Sequence, residues 1–358
     1  MQTLPFEAAP TPQAPALTAA SRIGFIDIAK AIGIVLVVVA HAPCAPTGVM
    51  TLIYSVHMPL FFFISGYLFT AERAAAPWPD TVRRAARSLL VPYLFFFGLS
   101  LLYWLATRNI GARTGKFSDL HASDALQGLA TGLSADLFVN VTLWFFPCLF
   151  LCQVLYAWGR QLAGAGALLL GLSALAAVLL ATTLPWSVRL PLGLDVVWMA
   201  LVFYAAGHWL RMIGWPGRSA ARASAARVVA LLSWAVLWLL SVQAQGRVDL
   251  AAARFGAFPV LYLPCALAGI AAVVCVARLV SPSPAWRWLA ENSLVIFPLH
   301  PLMINFLSGL LQMSGSRTLL EGNPPIWWAL SSLWGLLASL PVALLLRRHT
   351  PGLLGLRS

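Results

Sequence analysis

Ten runs of about twenty mostly apolar residues recur along this chain, and each is long enough to cross the hydrocarbon core of a bilayer as a helix. They fall near residues 24–42, 50–70, 88–107, 138–158, 162–182, 194–212, 227–245, 257–279, 292–312 and 326–346. At that depth no water is present to satisfy backbone N–H and C=O groups, so a run of this kind closes its hydrogen bonds within itself as a helix. The expected fold is therefore an all-α polytopic membrane protein, with about ten transmembrane helices in one bundle. Charged residues make up 9% of the chain, against about 25% in an ordinary soluble domain. No segment of 20–50 residues repeats, and neither end reads as a soluble domain.

A net charge of +12 would suit a nucleic-acid binder if the basic residues formed a patch or stripe. Here they sit in short connections between apolar runs, which is the pattern that orients membrane helices. Fifteen fall in one alternating set of connections, including Arg73, Arg83, Arg84, Arg87, Arg160, Arg211 and Arg347, and seven in the other, including Arg108, Arg189, Arg247 and Arg254. The bias places both termini in the cytoplasm. The first 21 residues, rich in Pro and Ala, lack a basic segment followed by an apolar core and read as a disordered cytoplasmic tail rather than a signal peptide. Residues 347–358 read as a basic cytoplasmic tail, leaving 22–346 as one membrane domain.

The first two runs carry Asp27, Lys30, His41 and His57. An aspartate or lysine at mid-membrane costs on the order of 3 kcal/mol, and such groups normally face a bundle interior and mark a functional path. Eleven helical steps separate Lys30 from His41, about 1100° of rotation, which returns to within roughly 20° of one face; the two are then about 16 Å apart along the axis. Asp27 shares that face at i, i−3 from Lys30. His57 opens the next run just before Pro59, across a short connection from His41. Imidazoles that exchange a proton near neutrality suit general-base work on a hydroxyl. The bland alternative is that Asp27 and Lys30 pair with each other and His41 merely caps its helix.

Arg84 and Arg87, at i, i+3 with Arg83 beside them, lead into the third run. They read either as ordinary cytoplasmic-side charge or as a clamp for phosphate, whose oxygens match the guanidinium fork. Pro92 just beyond is expected to loosen the backbone pairing there. Cys44, Cys148, Cys152, Cys265 and Cys275 have no metal-ligand spacing and read as small buried hydrophobes. His208 is expected to snorkel at its helix end, Glu291 and Asn292 to start a helix, Asp195 to complement a helix N-terminus, and His300 to make a polar helix–helix contact or, as the alternative, to serve as a third site histidine. Trp144 reads as an interfacial anchor, with a platform for the acceptor as the alternative.

The segments DIAKAIGI through His41, SVHMPLFFFISGYLF and RRAARSLLVPY together resemble the acyltransferase 3 family of integral membrane O-acyltransferases, nearest the branch of fucose 4-O-acetylase-like enzymes. TLWFFPCLFL, DVVWMALVFYAAGHWL and ENSLVIFPLHPLM extend the likeness over residues 22 to about 346. The resemblance implies ten core helices and transfer of an acyl group, usually acetyl, from cytoplasmic acyl-CoA to a carbohydrate facing the periplasm or cell exterior. The family's basic residue, ten positions, then histidine matches Lys30 and His41, so His41 inherits the catalytic role. Its Arg-x-x-Arg element matches Arg84 and Arg87, which inherit a role at the donor.

The expected protein is thus an inner-membrane O-acetyltransferase. His41, His57 and Asp27 are its catalytic candidates, Lys30, Arg84 and Arg87 hold acyl-CoA (acetyl-CoA), and no metal is used. A carbohydrate or lipid-linked glycan is the expected acceptor; membrane lipids surround the chain and nucleic acid is no partner. The rival class is a proton-coupled exporter of a small molecule or glycan precursor, since buried charges in ten spans fit that as well; the internal repeats common in transporters are not found.

Overall fold

The structure, a computed structural model, describes residues 19–108, 119–163, 166–184, 188–215 and 223–355. Ten helical stretches are long and apolar enough to cross a membrane, as the run pattern requires. The N-terminal stretch up to Thr18, Arg113 and Lys116 of the third connection, and residues 356–358 lie outside the described residues.

The first span is one helix, α1 (Ala19–His41). The second is broken into α2 (Thr47–Tyr54) and α3 (His57–Tyr67). The break has a local cause: Pro59 has no N–H to give the carbonyl of Ser55, four residues back. Trp238 braces the gap by donating its indole N–H to the Ser55 hydroxyl at 2.8 Å. A short helix, α4 (Ala71–Ala75), leads to α5 (Trp78–Ala85). From there the third span runs through a wide π turn, Ala86–Leu90, into α6 (Val91–Thr107). Pro92 is the reason, because it leaves Ser88 without its helical partner.

An outer helix, α7 (Ala122–Thr131), is followed by a 3₁₀ turn, Val141–Trp144, that opens α8 (Phe145–Ala163). Then come α9 (Gly166–Thr183), α10 (Val197–Met212), α11 (Ala223–Gln245) and α12 (Pro259–Leu279). The chain finishes with α13 (Pro284–Met313), a short α14 (Arg317–Glu321) and α15 (Pro324–His349). Arg347, Arg348 and His349 form the last turn of α15, where positive charge complements the helix C-terminus. Beyond it Leu354 is buried, and Gly355, at φ +67°, presses on the backbone of Arg87 and Ser88.

Lipid is as apolar as leucine, so helices here are held by close packing and by polar contacts between them rather than by water exclusion. Two glycines set the closest approach. A methyl group on Gly66 of α3 would overlap the Tyr204 carbonyl of α10, and one on Gly207 of α10 would overlap the Phe63 carbonyl of α3. Helix α1 packs along α13, and α15 is stitched to both by indole donors: Trp328 to the Val39 carbonyl at 3.0 Å and Trp334 to the Met303 carbonyl at 2.9 Å. Inside, Phe61, Phe62, Phe145, Phe146 and Phe297 make an aromatic block with ring centres 5.1 to 6.4 Å apart. Such pairs each contribute about 0.5–1.5 kcal/mol beyond burial.

Several local expectations change. His208 does not snorkel; it is buried, joined to the Tyr156 hydroxyl at 2.7 Å, because α8 rather than the membrane edge covers that face. Glu291 and Asn292 do not start a helix. The N-cap is Ser283, and Glu291 sits two turns in, paired at i, i+4 with Arg287 at 2.9 Å. Asp195 precedes α10 but is engaged by Arg189. Cys44 is exposed, at φ +59° after Pro43, whereas Cys148, Cys152 and Cys265 are buried.

Candidate active site

At one end of the bundle three histidines converge. The His41 ring centre lies 5.2 Å from that of His300 and 6.4 Å from that of His57. All three use one local device. Each Nδ1 sits on the backbone carbonyl four residues earlier: His41 on Val37 at 2.8 Å, His57 on Ile53 at 2.8 Å, His300 on Ile296 at 3.3 Å. A carbonyl can only accept, so Nδ1 carries the hydrogen and Nε2 presents a lone pair. For His57 that carbonyl lies at the end of α2, across the break in the second span. His300 is wholly buried, and its Nε2 has no hydrogen-bond partner.

His41 and His57 line a small cavity of about 100 Å³ together with Tyr54, Thr142, Trp144 and Asp249. The 3₁₀ turn supplies Thr142 and Trp144, and its seat is dictated by the prolines of α13. Pro301 leaves the Phe297 carbonyl unbonded within the helix; the Thr142 hydroxyl donates to it at 3.3 Å, and Asn140 donates to the Pro298 carbonyl at 2.8 Å. Tyr54 packs on His57, ring centres 5.0 Å apart, and carries the Arg247 guanidinium over its face at 5.3 Å. Burial pushes the Asp249 carboxyl above its ordinary value, against the opposing pull of backbone N–H groups, His41 and Arg247. Among the described residues, no group of three or more His, Cys, Asp or Glu side chains has the arrangement to hold a metal ion.

A second, much larger cavity of about 1060 Å³ opens at the opposite end. Arg73, Arg83, Arg84 and Arg87 line it, with Tyr204 and Gln153 deeper in. The arginines come from α4, α5 and the π turn. Arg84 and Arg87 are exposed, so their forks are open to a ligand. Charges of the more basic set of connections therefore gather at this end.

The six residues singled out in the sequence divide three ways. His41 and His57 meet in the small cavity, and Arg84 and Arg87 share the large one. Asp27 and Lys30 belong to neither. Asp27 is fourteen residues before His41 on α1, about 21 Å along the axis. Lys30 lies within the fields of Asp27, Glu291 and Arg347, between α1, α13 and α15, without a direct ion pair to Asp27 among the described residues. Sequence reasoning missed Asp249, Tyr54 and Arg247 as neighbours of the histidines; His300, read as a polar contact between helices or a third site histidine, adjoins His41.

The model of the acyltransferase domain family known as acyltransferase 3 matches residues 23–347, nearly the whole chain. The chain belongs to that family. It is a multi-pass membrane acyltransferase. No curated protein and no solved structure matches it significantly.

Proposed function

We propose that this acyltransferase moves an acetyl group from cytoplasmic acetyl-CoA to a hydroxyl of a periplasmic or cell-surface carbohydrate, as a fucose 4-O-acetylase-like enzyme of the inner membrane. The observation that carries the reading is the pair of Nε2 lone pairs, His41 and His57, on one small cavity remote from the arginine-lined one. The donor's phosphates bind Arg84 and Arg87, whose planar forks match phosphate oxygens. Its thioester reaches the histidine end through the bundle. His41 Nε2 takes the proton of the acceptor hydroxyl as that oxygen attacks the thioester carbonyl; the C–S bond breaks and the CoA thiolate leaves. An acyl-histidine formed first on Nε2, then transferred to the hydroxyl, balances equally well.

Purified protein in detergent, given acetyl-labelled acetyl-CoA, is expected to release CoA and label a glycan acceptor. No CoA release above a His41→Ala control would sink the reading and favour the exporter, which the charges around Lys30 would serve as a proton path. The reading also requires the arginine end to face the cytoplasm. Single cysteines at Ala76 and Thr47, in a chain freed of its five native ones, are expected to label oppositely in intact cells with an impermeant thiol reagent, Thr47→Cys reacting and Ala76→Cys silent. Labelling of both from one side contradicts the proposed through-membrane transfer.

A further inference from the structure

Asp249 lies outside every apolar span, yet it lines the histidine cavity. The connection 246–258, between α11 and α12, puts it there, and that connection is fastened at three places. At its neck the Gln245 side-chain amide donates to the Phe258 carbonyl at 2.6 Å and accepts the Phe258 N–H at 2.8 Å. Across its middle Asp249 and Arg254 exchange backbone hydrogen bonds at 2.7 and 2.8 Å. At its tip the Ala251 carbonyl accepts both the Ser134 hydroxyl at 2.9 Å and the Arg189 guanidinium at 3.0 Å, with Arg189 anchored in turn by Asp195. The loop is a fixed wall facing His41 and His57.

What that wall offers is chemically selective. The Arg247 guanidinium lies over the Tyr54 ring. The Asp249 carboxylate accepts from backbone N–H groups of its own loop, Ala252 at 3.3 Å and Ala251, and has, among the described residues, no ion pair. His41 and His57, whose Nε2 atoms are left to accept, line the same cavity. Acceptors from two elements around one cavity suit a ligand that brings two donors; an anionic ligand would meet the like charge of Asp249. At about 100 Å³ the cavity is small, on the scale of one edge of a sugar.

We propose that Asp249 is an acceptor-binding residue: it receives the hydroxyl adjacent to the one set against the histidines, so that the cavity recognises a vicinal diol edge of the acceptor carbohydrate. The proposal rests on the reading of this end as the acceptor site.

The test uses the full-length protein in detergent, labelled acetyl-CoA, and as probes the methyl pyranosides of glucose, galactose, mannose and fucose with their monodeoxy analogues. Asp249→Asn keeps an oxygen for the Ala252 N–H and removes the charge. It is expected to raise the KM for the best glycoside about tenfold or more, the scale of one charged hydrogen bond, while the KM for acetyl-CoA stays put. Wild-type protein is expected to lose a similar factor on one vicinal deoxy analogue, a readout that needs no variant to fold. An acceptor KM within about twofold of wild type for Asp249→Asn, or no loss on any deoxy analogue, overturns the proposal and leaves the acyltransfer reading intact. Equilibrium dialysis of labelled glycoside separates the two in the other direction. Binding that Asp249→Asn loses, without any transfer by the wild type, supports the site and sinks the proposed reaction; a wild type that neither binds nor acylates any glycoside sinks both.

Discussion

The two ends of the bundle hold their candidate groups in opposite ways. At the histidine end each imidazole is fixed by a backbone carbonyl, packed against aromatic rings and set around about 100 Å³. At the arginine end exposed side chains border about 1060 Å³ of open space. A proton transfer needs atoms held to within a fraction of an ångström, and a base earns its role by geometry before anything else. A large anion needs only charge and room. The difference teaches that substitutions of the histidines should fail in turnover and those of the arginines in affinity for the donor.

The largest effect expected is that of His41→Ala, a fall in kcat by about 10²–10⁴ with the protein still inserted and the binding of acyl-CoA retained. Residual transfer close to wild type would erase the distinction between the ends. Next comes Gly66→Ala, which touches neither cavity's polar groups. The added methyl runs into the Tyr204 backbone, which cannot yield as a side chain would, so a loss of about 1–3 kcal/mol or more is expected, read as a lower melting temperature in detergent. Smaller still is Arg84→Ala or Arg87→Ala, each raising the KM for acyl-CoA about tenfold with kcat little changed. Lysine replacements should recover only part, since an ammonium lacks the fork. A fall in kcat alone for either arginine variant would mean that the open end, too, is a place of fixed geometry.

How much of this could be read from the residues follows from range. The ten spans were legible because bilayer crossing is a property of each run alone. So was the anomaly at Pro92, a backbone consequence within one turn, and the break at Ser55–Val56 could have been placed from Pro59 by the same rule. His41 and His57 were found together because a short connection forces their helix ends close. His300 was read as a contact between helices, but its neighbour His41 could not be named, because α13 meets α1 only through packing between helices far apart in sequence. Asp249 was invisible, a lone acid in a polar stretch, brought to the histidines by anchors on Ser134 and Arg189 that no spacing reveals. Asp27 and Lys30 share a helical face with His41, but sharing a face does not shorten an axis; the distance along α1 keeps them apart from it.

The touching backbones of α3 and α10 make a ruler. Helix α3 begins at His57 in the small cavity; the carbonyl that Gly66 abuts belongs to Tyr204, whose side chain lines the large one. Ten residues of helix, about 15 Å, separate His57 from Tyr67. Two rods locked at Gly66 and Gly207 cannot slide without driving one peptide group through another. The span between the two cavities is thus a constant of the molecule, and a cargo that serves both ends must be long enough, by its own covalent length, to reach from one to the other.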